Sequence, residues 1–399
     1  MNTRYKIKYS DIYVFFYLFL LGILIFFTVI NSSLFIEIIQ IPGDIYLWCT
    51  IMTALLILMK KNRKKTFVLW VLVLLFAIAV FRESGSLFFL TLAVYWYGAQ
   101  WVPYDKVLKS TLISLILGML IVITANSLNA FPEVVFSRVD GTERMNFGFI
   151  HPNTFSLFLL AAIVCYYFLR DNHLNFLDVF PAFISFYIAR DYADSKTVAA
   201  VLLLMVIFVL LRLILPAAYK YFKTKKKFWK AVCVTAIPLG TLLLLFITSR
   251  YSKLDWLTEL GNTAAYRLYY ANVALKRYGV NMFGNIVQTY GSSFFALNPD
   301  STKEYFVIDC AYVYLLVRDG VVASLFVWGG ILKSILRQIK QENLMGVYMM
   351  GLLLVYSLME TGLLNFSFMY IYLAGICVLR QRMYVAPNTV VKPKIGNYK

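Results

Sequence analysis

Apolar runs of about 20 residues recur along the whole chain, and they limit the fold more than any other feature. A helix of that length crosses the core of a bilayer, whereas barrel strands are shorter and alternate polar with apolar residues. The sequence therefore predicts an all-α polytopic membrane protein, in one membrane domain over 1–399. Twelve spans are predicted, at 12–30, 45–59, 66–81, 87–100, 110–128, 154–169, 177–189, 197–216, 231–248, 320–336, 344–360 and 366–380.

Basic clusters indicate how these spans are oriented in the bilayer. KKNRKK at 60–65 follows span 2, KYFKTKKKFWK at 220–230 follows span 8, and further basic residues follow spans 10 and 12. Because Lys and Arg concentrate in cytoplasmic loops, these loops and both termini are predicted to be cytoplasmic. The net charge of +18 is then a topology signal, which predicts contact with anionic lipid headgroups of the bilayer and no nucleic-acid partner.

The same topology places two long loops, 129–153 and 249–309, on the extracytoplasmic face, where functional residues are expected to concentrate. In the first loop, Pro152 suits the first turn of a helix, so the imidazole before it would stand where the helix dipole favours an anion. An arginine upstream would add a bidentate grip on phosphate. The alternative is that this arginine pairs with a neighbouring acid and the histidine only caps the loop. The residues selected here are Arg138, Arg144, His151 and Asn153.

The second loop contains TAAYRLYYANVALKRY, which predicts a helix between a cap at Asn262 or the next residue and a stop at Gly279. One face of this helix is basic and aromatic, because Arg267, Tyr270 and Arg277 follow the helical spacing. The helix would lie along the outer surface and present Arg267 inward. The alternative is an interfacial amphipathic helix whose arginines reach the headgroups.

Two further segments on this face carry charge. IDCAYVYLLVRDG offers Asp309 and Tyr312, and Asp309 is either a carboxylate at the membrane surface or the N-cap of a helix. ARDYADSKT offers Arg190 and Lys196 at the start of span 8. Its two aspartates have DxxD spacing, but two carboxylates without neighbouring ligands do not define a metal site, and pairing with Arg190 explains them as well. The five cysteines have no metal-ligand spacing either, so no metal is predicted.

Four segments, in order over about 140–335, resemble those of bacterial polysaccharide polymerases of the Wzy type, which are relatives of the O-antigen ligases. GFIHPNTFSLFLL, with an arginine upstream, resembles the family's GF-x-HPN segment. DSKT resembles its SRT-type segment, with Lys196 in the arginine's place. AAYRLYYANVALKRYGVNMFGN resembles the helix that ends in a YGI-x-LFG-like turn. IDCAYVYLLVRDGV resembles the DN-x-Y-x-x-LL-x-x-YG segment, with Cys310 where asparagine is usual.

The resemblance implies a metal-independent glycosyltransferase of the GT-C superfamily, without a cofactor, on the outer face of a bacterial cytoplasmic membrane. Donor and acceptor would both be oligosaccharide repeat units on undecaprenyl diphosphate, and the growing chain would pass to a new repeat unit. A flippase and a chain-length regulator are the protein partners that it suggests. The expected function is polymerisation of a surface polysaccharide such as a capsule, an O-antigen or an exopolysaccharide.

That reaction gives the candidate residues their roles. A departing diphosphate needs cations, for which Arg144, Lys196 and Arg267 are candidates. The acceptor hydroxyl needs a base, for which His151 is the first candidate and Asp309 the second, although His151 could bind phosphate instead. A ligase that hands the glycan to another acceptor is the alternative within this chemistry. A glycan exporter is the alternative from another class, but it should carry charges inside its spans.

Overall fold

The structure, a computed structural model, describes residues 9–39, 44–60, 62–132, 134–137, 141–170, 173–215, 217, 221, 224–251 and 262–378. In this part of the chain, seven helices are long and apolar enough to cross a membrane. They confirm the prediction of a helical chain with helices of membrane-spanning length. The seven are Asp11–Ile30, Lys64–Ser84, Tyr104–Ser127, Pro152–Arg170, Lys196–Ile214, Lys226–Ser249 and Ala311–Lys340.

Shorter helices lie at the other predicted spans and in the connections. At the last predicted span, 366–380, the structure describes short helical turns between Asn365 and Gly375, and residues 379–380 lie outside the described part of the chain. Most residues of these turns are buried. The shorter helices are Phe35–Ile38, Ile45–Leu58, Phe88–Gly98, Val179–Tyr187, Asn262–Tyr278, Ser292–Leu297, Leu344–Tyr356 and Met369–Leu373.

The predicted loop 129–153 contains a small antiparallel hairpin that the sequence did not predict. Strands Phe136–Ser137 and Glu143–Arg144 pair so that Phe136 lies opposite Arg144. Two-residue strands are too short to leave an alternating pattern in the sequence. The hairpin holds Arg144 above the start of the helix Pro152–Arg170.

The outward surfaces of the long helices are apolar, as expected of a protein dissolved in lipid. On the helix Lys226–Ser249, Leu242, Leu243 and Phe246 are 63%, 59% and 58% exposed. A continuous apolar surface of this kind drives aggregation in water, whereas a bilayer covers it at no cost. The exposed faces therefore agree with the predicted membrane environment.

Buried tyrosines connect the helices inside the core. The Tyr17 hydroxyl donates to the Tyr95 carbonyl at 2.7 Å, and the Tyr370 hydroxyl donates to the Ala161 carbonyl at 3.0 Å. Each bond joins residues far apart in the chain and satisfies a hydroxyl that would otherwise be costly to bury. The many tyrosines of this sequence thus supply packing area together with fixed points between helices.

The helix Ala311–Lys340, called the broken helix below, is interrupted near its N-terminal end. A π-helical turn, Leu315–Asp319, replaces regular α-helix, and Gly320 after it has φ +84°. Glycine adopts this left-handed region without the clash that a Cβ would cause. Turns of π-helix are frequent at functional sites, and this one follows Asp309 by a few residues.

The break is closed by the turn that follows Asn262–Tyr278, called the arginine helix below. The carbonyls of Asn281 and Met282 accept from the first amides of the restarted helix, each at 3.1 Å. In return, the Asn285 amide donates to the Arg318 carbonyl at 2.9 Å. The two backbones approach so closely that a Cβ on Gly284 would stand 2.0 Å from that carbonyl oxygen. The end of the arginine helix is therefore fixed to the broken helix.

Candidate active site

Three charged side chains from distant parts of the chain meet in one group, called the carboxylate cluster below. Arg267 comes from the arginine helix, Asp309 from the segment before the broken helix, and Glu360 from the turn after Leu344–Tyr356. The Arg267 Nε lies 3.5 Å from Asp309 Oδ2, and its Nη2 lies 2.9 Å from Glu360 Oε1. Arg267 also donates to the Met359 carbonyl. The guanidinium is thus held from three directions.

Burial controls the charge of this cluster. The side chains of Arg267 and Glu360 are only 16% and 15% exposed, and that of Asp309 is 35% exposed. Burial raises the pKa of Glu360 to about 7, although Arg267 opposes the rise. Burial also raises the pKa of Asp309, and Arg267 again opposes it. A carboxyl group that titrates near neutral pH can take up and release a proton under working conditions.

Glu360 has a second contact that joins the cluster to the predicted segment DSKT. The Thr197 side chain interacts with the Glu360 carboxyl group and opposes the rise in its pKa. Thr197 lies in the first turn of Lys196–Ile214, and Ser195 precedes that helix at its N-cap position without a side-chain capping bond. Lys196 is exposed beside Thr197, and it pairs with no acid among the residues that the structure describes. The positive end of a helix and a lysine therefore stand next to the carboxylate cluster.

Arg144, His151 and Asn153 form a second polar group at the start of Pro152–Arg170. The Arg144 Nη2 donates to Asn153 Oδ1 at 2.6 Å. The His151 Nδ1 accepts from the Asn153 backbone N–H at 3.1 Å, so the imidazole caps this helix. The Phe136 ring of the hairpin packs edge-on against it, 5.3 Å between centroids. The predicted helix start at Pro152 is confirmed, and the cap engages one of the two imidazole nitrogens.

The two polar groups border the same segment, 189–197. The Arg144 Nε donates to the Ala193 carbonyl at 3.1 Å, and the Met145 amide donates to the Tyr192 carbonyl at 2.9 Å. Thr197, which contacts Glu360, follows Ala193 by four residues. A second π-helical turn, Ile188–Tyr192, opens this segment. The structure thus brings parts of loops 129–153 and 249–309 to opposite sides of one short connection.

Other predicted site residues lie elsewhere. Arg277 pairs with exposed Glu304 at 3.2 Å and lies over the Phe306 ring. Arg190 is exposed, and its Nε lies 3.7 Å from Oδ1 of Asp191, the first of the two aspartates. Asp309 does not act as the predicted N-cap, because Cys310 occupies that position.

The remaining predicted residues are two tyrosines and one arginine. Tyr270 packs among the rings of Tyr305 and Phe306. Tyr312 is buried, its ring stacks on Trp328 with centroids 4.2 Å apart, and its hydroxyl donates to a backbone carbonyl. Both therefore serve packing more than ligand contact. Arg138 lies outside the described residues.

An apolar groove of about 440 Å³ runs between Lys226–Ser249 and the broken helix. Its lining is almost entirely aliphatic and aromatic, and Pro238 lies at its wall in the middle of the first of these helices. Tyr312, three residues beyond Asp309, lines the groove as well. An apolar channel and a charged cluster are thus neighbours in the broken helix and the segment before it.

Glu360 is the main residue that the sequence interpretation missed. Its signal was present, because it is the one acid in the long apolar stretch 344–378. The predicted span 344–360 absorbed it, whereas the helix ends at Tyr356. Within the described residues, no three His, Cys, Asp or Glu side chains form a group that could hold a metal ion.

The arrangement can bind a hydroxyl group and accept its proton at the carboxylate cluster, and it can attract an anion at the adjoining helix start. Lysine and free helix amides at such a start favour phosphate or carboxylate groups. The neighbouring groove can hold an aliphatic chain. Comparisons with protein-family models, with curated proteins and with solved structures find no match to this chain.

Proposed function

We propose that this chain is a glycosyltransferase that polymerises oligosaccharide repeat units carried on undecaprenyl diphosphate. The observation that supports this most directly is the carboxylate cluster, in which Arg267 holds two partly buried carboxyl groups beside a lysine, a helix start and an apolar groove. A substrate with an aliphatic tail, a diphosphate and a sugar needs these three environments next to one another. No single one of them would point to such a substrate.

In the proposed reaction, the hydroxyl oxygen of the acceptor sugar attacks the anomeric carbon of the donor chain. The bond from that carbon to the phosphate oxygen breaks, and undecaprenyl diphosphate leaves with the electron pair. The hydroxyl proton passes to Glu360 or Asp309. Burial has raised the pKa of both groups, which brings Glu360 to about 7 and so makes it a suitable general base.

Arg267 and Lys196 divide the positive charge in this proposal. Arg267 is largely neutralised by its two carboxyl partners, so its role is to position them. Lys196 and the helix start behind it stabilise the charge that develops on the diphosphate, which matters more in a site of low dielectric than in water. Arg144 is not part of the carboxylate cluster. Because its Nε donates to the Ala193 carbonyl, it fixes the short connection 189–197, which contains Lys196.

His151 is proposed as a positioning residue. Its Nδ1 accepts from the Asn153 amide, and in the neutral imidazole the proton then resides on Nε2. Proton transfer to Nδ1 would break the helix cap. The first candidate base from the sequence is therefore less well supported than the two carboxyl groups.

The finer architecture belongs to the same proposal. In this proposal, the chain crosses the cytoplasmic membrane of a bacterium twelve times. Both termini lie in the cytoplasm, and the carboxylate cluster lies on the extracytoplasmic side of the membrane. The basic clusters after even-numbered spans support this orientation. A GT-C-like arrangement follows from the resemblance of the four sequence segments.

The test is reconstitution in liposomes with a lipid-linked repeat unit, read as a ladder of products. Wild-type protein should give a ladder, Glu360→Gln should lower the rate by about 10²–10⁴ if the carboxylate is the base, and the exposed-acid control Glu304→Gln should not. No ladder with any lipid-linked unit would refute the proposal. Transfer of one glycan to a different acceptor, without a ladder, would identify the ligase alternative instead.

A further inference from the structure

A small polar pocket of about 180 Å³ lies next to the carboxylate cluster. Four parts of the chain enclose it: the turn after Lys64–Ser84, the first turns of the broken helix, residues 361–365 directly after Glu360, and Leu157 of the helix Pro152–Arg170. Pockets for drug-sized ligands begin at roughly 300 Å³. This one therefore has room for one ring or a smaller group.

Asp319 supplies the pocket's acidic group and has an unused hydrogen-bonding atom. The residue is 2% exposed, and Ser86 interacts with its carboxyl group. The second oxygen, Oδ1, is buried and has no hydrogen-bond partner among the described residues. A buried carboxyl oxygen without a partner destabilises the fold, so this acid is costly to keep unless it serves the pocket that it lines. The function proposed above does not use Asp319.

The other polar groups of the pocket are donors or hydroxyls. The Arg318 guanidinium donates to the Tyr314 hydroxyl and lies 5.3 Å from the centroid of that ring. The Asn365 Oδ1 accepts from the Ser367 amide at 2.9 Å, which leaves its NH₂ group as the part that can serve a ligand. Thr361 adds a hydroxyl. Carboxyl, guanidinium, amide and hydroxyl groups converge in a space that fits one ring.

This combination selects among ligand classes. A free phosphate would be repelled by the Asp319 carboxylate, and an alkyl chain would leave the polar groups without partners. A metal ion would find one carboxylate and no further acidic, thiol or imidazole ligand in a described group of three. Adjacent hydroxyls of a sugar ring both donate and accept, and the C–H face of the ring packs on aromatic side chains such as that of Phe88.

We propose that the pocket binds a single sugar ring of the repeat unit, with the Asp319 carboxyl group accepting a hydrogen bond from one of its hydroxyls. This inference rests on the proposed function and adds a specificity-determining subsite to it. Thr361 directly follows Glu360 in the chain, so the bound ring lies next to the groups that take the acceptor proton. The hydroxyl pattern of that ring then decides which repeat units are accepted.

The test compares substrates that each lack one hydroxyl. Reconstituted wild-type protein and the near-isosteric variant Asp319→Leu, which removes both acceptor oxygens, receive the unmodified lipid-linked repeat unit and a series of its monodeoxy analogues. In wild-type protein, one analogue should lose about 10–10²-fold in kcat/KM, because a site built to bind a hydroxyl rejects the analogue that lacks it. In Asp319→Leu, the same analogue should lose less than about threefold relative to the unmodified unit, by the logic of a double-mutant cycle.

A loss of stability alone would lower the rates of all substrates equally and leave these ratios unchanged. If Asp319→Leu fails to accumulate, Thr361→Val, which removes a hydroxyl from the pocket wall at nearly constant volume, is tested against the same series. A ladder with equal deoxy penalties in wild type and variant would overturn this inference and leave the proposed function intact. No ladder from the unmodified unit in wild-type protein would overturn both.

Discussion

The titration of Glu360 predicts a pH-dependent stability that the variant Glu360→Gln should lack. The folded-state pKa is about 7 and the ordinary value is 4.5, because burial disfavours the charged carboxylate. The folded protein therefore binds this proton more tightly than the unfolded chain does. Its stabilising contribution is complete below about pH 4.5 and is lost as the pH rises through about 7. At about 1.36 kcal/mol per pKa unit, the loss amounts to ~3 kcal/mol, of which about 2–3 falls between pH 5 and pH 8.

Thermal unfolding of the purified protein in detergent measures this effect as a difference between two proteins. Glutamine does not titrate, and Asp309 remains to pair with Arg267 in the variant. With an unfolding entropy of about 2.1 cal/mol/K per residue, the gap in Tm should change by on the order of 3 °C in favour of the variant from pH 5 to pH 8. Glu304→Gln is the matched control, because its side chain is 76% exposed and should show no such trend. Parallel Tm curves for wild type and Glu360→Gln across this range would refute the burial of a titrating carboxyl group.

Three further predictions test other parts of the structure. Arg267→Ala should abolish the product ladder with protein still in the membrane. Arg277→Ala, which removes an exposed ion pair on the same helix, should keep the ladder. The same ladder from both variants would contradict the role of Arg267 in positioning the carboxyl groups. His151→Asn should retain the helix cap and stay within about tenfold of wild-type turnover, whereas a loss of about 10²–10⁴ would make the imidazole the general base. Gly284→Ala should strongly reduce the amount of protein in a membrane-fraction blot, because its Cβ would stand 2.0 Å from a backbone oxygen. Gly329→Ala, with open space around it, should accumulate normally. Equal levels of the two variants would contradict the close approach of the two backbones at Gly284.

Local patterns in the sequence carried most of the fold and part of the candidate site. Capping residues and periodicity predicted the arginine helix, which runs Asn262–Tyr278 and stops before Gly279, and the first-turn proline predicted the start at Pro152. The short turns within 366–380 could not be predicted, because composition does not distinguish a buried apolar segment from one that faces lipid.

Contacts between residues far apart in the chain were harder to predict from the sequence. Asp309 and Arg267 were both selected, but nothing in their spacing indicates that Glu360, 93 residues beyond Arg267, shares the same guanidinium. Burial raises the pKa of Glu360, and burial is a property of the packed helices and not of the sequence around the residue. The burial of the Asp319 oxygen without a partner is likewise a property of the packing, because it depends on which segments close around the π-helical turn.

The exchange of backbone hydrogen bonds between the broken helix and the turn after the arginine helix has a mechanical consequence. It fixes the C-terminal end of the arginine helix to the broken helix, which is a membrane-spanning element. Arg267 lies toward the opposite end, about 15 Å along the axis from Arg277 at ~1.5 Å per residue. A tilt about the anchored end would therefore move Arg267 far and Arg277 little. Substrate entry by such a tilt would separate Arg267 from its carboxyl partners first and leave the anchored turn unchanged.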